Sequence, residues 1–587
     1  MIEHKGTQTL IEGPMNDRRM SWRLLACVFM QGFAALGLAA RLIFLHVGPH
    51  EAVRKQADKT RSWESQLDVE RGKICDASGV ENILALDLTL KDVCADPQAI
   101  LDQELVVSLS GALADLLEMP ADKVAVTLNR PGRRYACLKR AVMPEVAEAI
   151  ALRDFPGIYF QDRSVRYYPQ GQFMCHVLGF VNMAGHGSAG VEQRMDRFLR
   201  GSPGFVKGTK DGLRRELYSK RESFVPSLAG ADVDLTIDQY VQYIVEQALD
   251  EAMETHSALG AWAIVQRVQT GELLAMASRP AYDLNAFGKA NKEARLNRAM
   301  GAVYEPGSTM KAVVFSAVLN EQLVTPETVI DCENGTWIYG RRPLRDFHAY
   351  DHLSVADGLK KSSNILSAKL ALKMEPKWLY RYYQAFGFGE RLGLDLPGEE
   401  GGILHAPDRW SRITPTRMAI GQGVAVTALQ MLSAFCAIAN DGVLMRPYVI
   451  DNVRGRDGER LYQRHPEVIG RPISPQTAAT MRHLLARVTE KDGTGKRAAI
   501  RGYSVAGKTG TAQKPIPGGY SQTDHYASFV GFLPAESPNI GIIVVIDNPQ
   551  PVHTGGRVAA PVFKTIASQV VRYLDIAPTS EHVLAQR

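Results

Sequence analysis

The first long feature of the chain is an apolar run. Leu24 to Ala40 carries no charge, and after Arg41 the run resumes from Leu42 to Val47. About 20 apolar residues are enough to cross a bilayer as a helix. The pattern therefore predicts a membrane span over 24–47, with Arg41 near one interface, where its side chain can reach water. Arg18, Arg19 and Arg23 precede the run. Basic residues before a span and a long polar chain after it predict a cytoplasmic tail over 1–23, with the remainder on the opposite side. A cleaved signal peptide ending near Ala39-Ala40 is the competing reading. The continuation of the apolar run past Arg41 favours an uncleaved anchor.

Beyond the span the pattern changes twice. From 48 to 228 charges are frequent and apolar runs are short. Leu105 to Leu117 and Pro144 to Leu152 have helical periodicity, Arg71 to Gly79 reads as strand, turn, strand, and Arg166 to Gly179 as an extended, turn-rich segment. No catalytic constellation is evident there, so a non-catalytic pedestal is expected. His176 reads as a structural histidine, and Glu192 as the acid of a structural ion pair. From 229 the pattern is that of a sheet-based domain. Val233 to Asp238 alternates, Gln239 to Thr255 is helical, and Ala261–Gln266 with Leu273–Ala277 reads as a hairpin. A helix-rich stretch runs from Arg298 to Ile438. Strand character returns at Val505–Ala512, Ala527–Leu533 and Ile540–Asp547, and a last helix covers Ala560 to Leu574. This domain is expected over 229–575, followed by a mobile tail over 576–587.

Composition narrows the function classes. The 587 residues exceed what one compact domain holds. The net charge of +5 is small for that length, and no basic stripe with interleaved aromatics occurs, so a nucleic-acid partner is not expected. The seven cysteines, Cys27, Cys75, Cys94, Cys137, Cys175, Cys332 and Cys436, form no C-x-x-C pair and no metal-ligand spacing with histidine. They read as buried free thiols, with one pair somewhere within the segment from Cys75 to Cys175 left open if that segment lies in an oxidising compartment. No metal or cofactor is expected.

The chemistry concentrates at Tyr304-Glu305-Pro306-Gly307-Ser308-Thr309-Met310-Lys311. Pro306 and Gly307 interrupt regular structure, and the apolar run Ala312–Leu319 reads as a buried helix. Ser308 then falls at a helix N-terminus, with Lys311 one turn on and on the same face. A serine hydroxyl becomes a useful nucleophile when a neighbouring base takes its proton. A lysine amine is such a base when burial or nearby cations lower its pKa. This is the only S-x-x-K in the chain, and two polar triplets follow it, Ser362-Ser363-Asn364 and Lys508-Thr509-Gly510. Ser537-Pro538-Asn539 also fits the Ser-x-Asn form, but it does not lie between the other two motifs.

These three motifs in this order are the signature of the penicillin-binding proteins and class A β-lactamases. The chain from Leu24 to Leu574 resembles a class B penicillin-binding protein, a membrane-anchored D,D-transpeptidase that cross-links peptidoglycan. Arg71-Gly72-x-Ile74-x-Asp76 with Gly79, Tyr168-Pro169 with Gly171 and His176, Gly187-x-x-Gly190-x-Glu192, Leu235 to Asp238, Asn297-Arg298 and Gly421-Gln422-Gly423 extend the match. Ala77-Ser78 departs from the usual basic residue of the first of these. The surroundings of Ser308, Lys508 and Tyr526 look most like the division-specific septal type. The resemblance implies an α+β multidomain fold: a transmembrane helix, a mixed α/β pedestal, and a penicillin-binding domain with a central antiparallel sheet and a helical subdomain. It implies Ser308 as nucleophile, Lys311 as base and Ser362 as proton relay. It further implies that Asn364 binds the stem-peptide backbone, and that Lys508, Thr509 and Thr511 bind the terminal carboxylate beside Gly510. Expected partners are stem peptides, β-lactams, a membrane glycan polymerase and other division proteins, and no glycan-polymerising domain is expected ahead of the pedestal. The alternatives are an elongation-type transpeptidase, a D,D-carboxypeptidase or β-lactamase on the same fold, and a non-catalytic scaffold.

Overall fold

The computed structural model describes residues 17–47, 62–67, 69–210 and 217–579. Most of the expected cytoplasmic tail, 1–16, lies outside the described residues, as does 580–587 of the expected mobile tail. The described start of that tail is tied down. Ile576 is buried, and the Thr579 amide donates to the Gly502 carbonyl at 2.9 Å.

The chain divides into two compact units. The smaller combines 1–67 with 204–226. Its helix, Asp17–Val47, contains a 26-residue apolar stretch from Trp22 to Val47 in which nothing is buried by protein. The stretch is long enough to cross a bilayer. The helix extends N-terminal to the expected span, starting at Asp17. The same unit holds a three-stranded antiparallel sheet with Gly204–Thr209 between Ser62–Leu67 and Ser223–Val225.

The larger unit, 68–203 and 227–587, contains both the remainder of the pedestal and the sheet-based domain. Its centre is a five-stranded antiparallel sheet. In chain order the strands are β1 (Gly260–Arg267), β2 (Leu273–Arg279), β3 (Ala506–Ile516), β4 (Gly519–Leu533) and β5 (Ile540–Asp547). In space the order is β2-β1-β5-β4-β3. β5 is buried from Ile540 to Ile546 and reads as a continuous apolar run because both faces of the sheet are covered. One face carries the helices Gln239–Thr255 and Ala559–Tyr573. The first of these starts where Asp238 accepts from the amides of Tyr240 (2.8 Å) and Val241 (2.9 Å), an N-cap. The other face carries Ala428–Ala439, which opens with a capping box made by Thr427 and Gln430. The hairpin β3–β4 is longer than predicted because its outer arm continues, partly exposed, to Ile516 and Gly519.

The helical part contains Lys311–Asn320, whose residues from Lys311 to Val318 are all buried. A helix apolar on every side is one enclosed by neighbours, and this one packs against Asn364–Ala371, Pro376–Ala385 and Pro475–Ala486. A seven-stranded sheet crosses the expected boundary at 228: it joins Ile74–Asp76 of the pedestal to Asp232–Leu235, and the latter to Ile450–Arg454 of the following domain. Strands far apart in sequence therefore share one ladder.

The pedestal motifs converge on Glu192, which is fully buried. Arg71 Nε donates to it at 2.8 Å, Arg166 Nε at 2.6 Å and the Tyr168 hydroxyl at 3.3 Å. Arg71 also pairs with Asp196 at 2.7 Å, and Arg166 with Asp87 at 3.1 Å. A buried carboxylate is tolerable when paired and hydrogen-bonded in this way. Glu192 is thus the structural acid that its sequence context predicts. His176 is equally structural. Its Nε2 lies 2.8 Å from the Ala294 carbonyl, its ring meets Tyr282 edge to face, and burial lowers its pKa to about 4.

Candidate active site

The serine segment is a tight turn rather than the first turn of an α-helix. Gly307–Met310 forms a 3₁₀ turn, and the α-helix begins at Lys311. The Thr309 hydroxyl closes the turn by donating to the Pro306 carbonyl at 2.9 Å. The turn lies against β3, an edge strand of the central sheet. Gly510 permits that approach. A Cβ there would come 2.9 Å from the Pro306 carbonyl oxygen and would also collide with the Ser528 hydroxyl. Ser308 is half-buried, and among the described residues its hydroxyl has no hydrogen-bond partner.

The asparagine triplet does not lie within one helix. It is the joint between two, Val355–Lys361 and Asn364–Ala371. Ser362 ends the first in the left-handed region, with φ 60°, and Ser363 caps the second by accepting from the Leu366 amide. This reversal delivers Ser362 to the base of the lysine helix. The Lys311 amine donates to the Ser362 carbonyl at 2.6 Å, to its hydroxyl oxygen at 3.1 Å and to Asn364 Oδ1 at 2.7 Å. From the sheet side, the Lys508 amine donates to the same hydroxyl oxygen at 2.9 Å and to the Thr509 carbonyl at 3.2 Å. Residues from three distant segments thus meet at one hydroxyl.

Both lysines are fully buried. Desolvation disfavours an ammonium and lowers its pKa. Burial brings Lys311 down to about 7, while the carboxylate of Asp346 works in the opposite direction. Lys508 is lowered well below the ordinary lysine value by burial, and by the charge of Lys311 as well. Burial is the first cause for both lysines, and the repulsion between the two amines, which is mutual, works in the same direction.

The remaining motif residues are engaged as follows. Asn364 Nδ2 donates to the Arg345 carbonyl at 2.8 Å, so its amide bridges Lys311 and the Arg345 backbone. The Thr509 hydroxyl donates to that of Thr494 at 3.2 Å. Thr511 is exposed, and its hydroxyl accepts from the Gly555 amide at 3.0 Å.

Three supporting groups carry no sequence signal of their own. Asp346 accepts from the Ser363 hydroxyl at 2.6 Å, from the Ile365 amide at 3.0 Å and from the Asn364 amide. It is a second cap on the helix that carries Asn364, supplied from an irregular loop. Thr494 supports Thr509 through the single hydroxyl bond at 3.2 Å. Glu305 accepts from the Gly423 amide at 2.8 Å and from the Tyr520 hydroxyl at 3.2 Å, joining the serine segment to the β3–β4 hairpin, and burial pushes its pKa up. Elsewhere, the ligand atoms of Asp331, Asp351 and His352 lie within 4.8 Å of one another at an exposed position, an arrangement common without any ion.

This cluster and the two-part architecture coincide with known families. The model of the penicillin binding protein transpeptidase domain matches residues 261–568, and that of the penicillin-binding protein dimerisation domain matches 66–235. The chain belongs to the class B penicillin-binding proteins. Among curated members of this family, it is 34% identical to "Peptidoglycan D,D-transpeptidase FtsI" of Escherichia coli, over 95% of this chain and 93% of the relative. It is 32% identical to "Probable peptidoglycan D,D-transpeptidase PenA" of Neisseria meningitidis, over 97% and 95%. Among solved class B structures, penicillin binding protein 3 of Mycobacterium tuberculosis complexed with aztreonam superposes with a TM-score of 0.68 at 27% identity, covering 88% of this chain and 98% of that one.

Proposed function

We propose that this class B penicillin-binding protein is the septal peptidoglycan D,D-transpeptidase of its cell, working through an acyl-enzyme on Ser308. The observation that carries the reading is the Lys311 amine, buried, lowered to about 7, and 3.1 Å from the hydroxyl oxygen that Lys508 also reaches. An amine with that pKa exchanges a proton near neutral pH, as a general base must.

Ser308 attacks the carbonyl between the two terminal D-alanines of a stem peptide, and Lys311 takes the hydroxyl proton. Lys311 donates to Ser362 and Asn364 in the structure, and catalytic hydrogen bonds often tighten only when substrate is bound. Ser362, held between two amines, passes a proton to the departing D-alanine. The amides of Ser308 and Thr511 form the oxyanion hole, worth about 3–4 kcal/mol for one donor in comparable hydrolases. Lys508, Thr509 and Thr511 receive the terminal carboxylate, and Asn364 receives the peptide backbone. The amine of a second stem peptide then attacks the acyl-enzyme in a ping-pong exchange. A β-lactam acylates Ser308 without releasing a leaving group, so the acceptor amine is excluded.

The helix over 24–47 anchors the chain in the inner membrane, and both the pedestal, 48–228, and the catalytic domain, 229–575, lie on the extracytoplasmic side. A membrane glycan polymerase and other division proteins are the partners. The test of the activity is a stem-peptide donor offered with and without an acceptor amine. The reading predicts D-alanine release coupled to incorporation of the acceptor. Release with only the hydrolysed peptide as product contradicts it. Depletion in cells separates the roles: filaments are expected, and rounded cells would assign the protein to elongation instead.

A further inference from the structure

Cys94 and Cys137 are direct cross-strand partners. They face one another in the antiparallel ladder between Gly79–Ala95 and Ala136–Val142, beside the pair Ala95 and Ala136. Directly opposed residues in such a ladder have Cα atoms about 4.5–5.5 Å apart. A disulfide spans roughly 4.4–6.8 Å at Cα. Opposed Cβ atoms are about 4.5–5.5 Å apart, so an approach of less than about 1 Å meets the bond's requirement. Both residues are thiols in this structure. Cys94 is completely buried and has the Tyr135 hydroxyl 4.0 Å from its sulfur, while Cys137 is partly exposed. Among the described residues, the contacts of Cys75, Cys175, Cys332 and Cys436 reach no second cysteine.

The pair occupies a telling position in the pedestal. Between the two cysteines the chain leaves the sheet, forms the helices Pro97–Asp102, Val106–Leu117 and Ala121–Leu128, and returns. These helices share a small core of their own with the sheet, including Val93, Leu113, Leu117 and Leu138. A bond at the mouth of this excursion would close a loop that is otherwise ordered by that core and by hydrogen bonds such as Lys139 Nζ to the Leu117 carbonyl at 2.6 Å. Closing a loop of this kind chiefly restricts the unfolded chain.

We propose that Cys94 and Cys137 form a cross-strand disulfide that clasps the helical excursion of the pedestal. The inference rests on the extracytoplasmic location proposed above, because only an oxidising compartment keeps such a bond. The oxidant is another disulfide, that of a thiol–disulfide oxidoreductase or a small-molecule thiol. The partly exposed Cys137 attacks it as the thiolate, forming a mixed disulfide and releasing one thiolate. The Cys94 thiolate then attacks the Cys137 sulfur and expels the second. The oxidant leaves as two thiols, which take up the two protons the cysteines give up.

The test uses the full chain, extracted in detergent from cells without reductant, denatured and labelled with a maleimide. With seven cysteines and one bond, five thiols are expected to label, and peptide mapping is expected to recover a peptide linking Cys94 to Cys137. Reductant is expected to lower the melting temperature of the wild type and not of C94S or C137S. Protease accessibility in spheroplasts reports the side of the membrane separately. Seven labelled thiols in a chain exposed on the outside overturn the proposal while leaving the location intact. If the domain lies on the cytoplasmic side, the location fails, and the native chain treated with oxidised glutathione decides the proposal. A Cys94–Cys137 bond forming there supports it, and none forming overturns it.

Discussion

Lys311 and Lys508 donate to the same Ser362 hydroxyl oxygen, at 3.1 Å and 2.9 Å, one from a buried helix and the other from a strand of the central sheet. Burial disfavours the charged form of both amines, and repulsion between them adds to this. Because the pKa of Lys311 is lowered to about 7, the amine is an ammonium below that pH and a free base above it. The second-order rate of acylation by penicillin should therefore rise with pH through about 7 and level off above it. A stopped-flow pH profile from 5.5 to 9 checks this, and a rate independent of pH across 6–8 would remove Lys311 as the base.

Asp346 raises the pKa of Lys311 and caps the helix that carries Asn364. Asp346→Asn keeps an acceptor for the Ser363 hydroxyl but removes the charge. With the opposing influence gone, the Lys311 pKa should fall further, and the rising limb of the acylation profile should move to lower pH. Asp346→Ala removes the cap as well and should lower the melting temperature, because losing a helix cap costs about 1 kcal/mol. An unmoved pH limb in Asp346→Asn would mean that the carboxylate serves only as a cap.

Ser362→Ala removes the hydroxyl that both amines share. The helix junction is held by backbone bonds, Ser362 N to Leu359 O at 3.2 Å and Ser363 N to Gly358 O at 2.9 Å. The fold should therefore survive. Acylation should slow by about 10²-fold or more, the scale of a lost proton-transfer group. Near-normal acylation by this variant would assign the relay elsewhere.

Gly510→Ala tests the approach of β3 to the serine turn. The new methyl would meet the Pro306 carbonyl and the Ser528 hydroxyl. The strand and turn must separate, which misaligns the Thr511 amide from Ser308. Penicillin labelling should be lost while the circular dichroism spectrum is retained, and full labelling would show that the cleft has more slack than this packing implies.

Glu192→Gln tests the pedestal. The carboxylate pairs with Arg71 and Arg166, and all three are almost fully buried. Breaking a buried ion pair from one side typically costs about 3–5 kcal/mol. The urea midpoint should drop accordingly. The pH profile of acylation in the folded fraction should stay unchanged, because no reacting group has been altered.

Much of this architecture could be read from the chain itself. The alternation at Val233–Asp238, the apolar runs at Ala312–Leu319 and Ile540–Asp547 and the three polar motifs each carry a local signal, because burial on a sheet or helix imposes its own period. What escaped prediction depends on tertiary contact. The asparagine triplet lies in a helix-rich stretch, but nothing local shows that Ser362 turns the chain into the left-handed region so that two helices can meet there. Asp346 sits in an irregular loop, and its role exists only because that loop folds over the Asn364 helix. The strand Ile450–Arg454 has no local feature that ties it to Asp232–Leu235. Cys94 and Cys137 likewise become partners only through strand register.

The central claim is that Ser308 carries the acyl group. Intact-mass analysis after incubation with benzylpenicillin, followed by peptide mapping, tests it directly. The account predicts one adduct per chain, on the peptide containing Ser308, absent from Ser308→Ala and present in Ser363→Ala. An adduct on any other residue, or equal modification of wild type and Ser308→Ala, would contradict it.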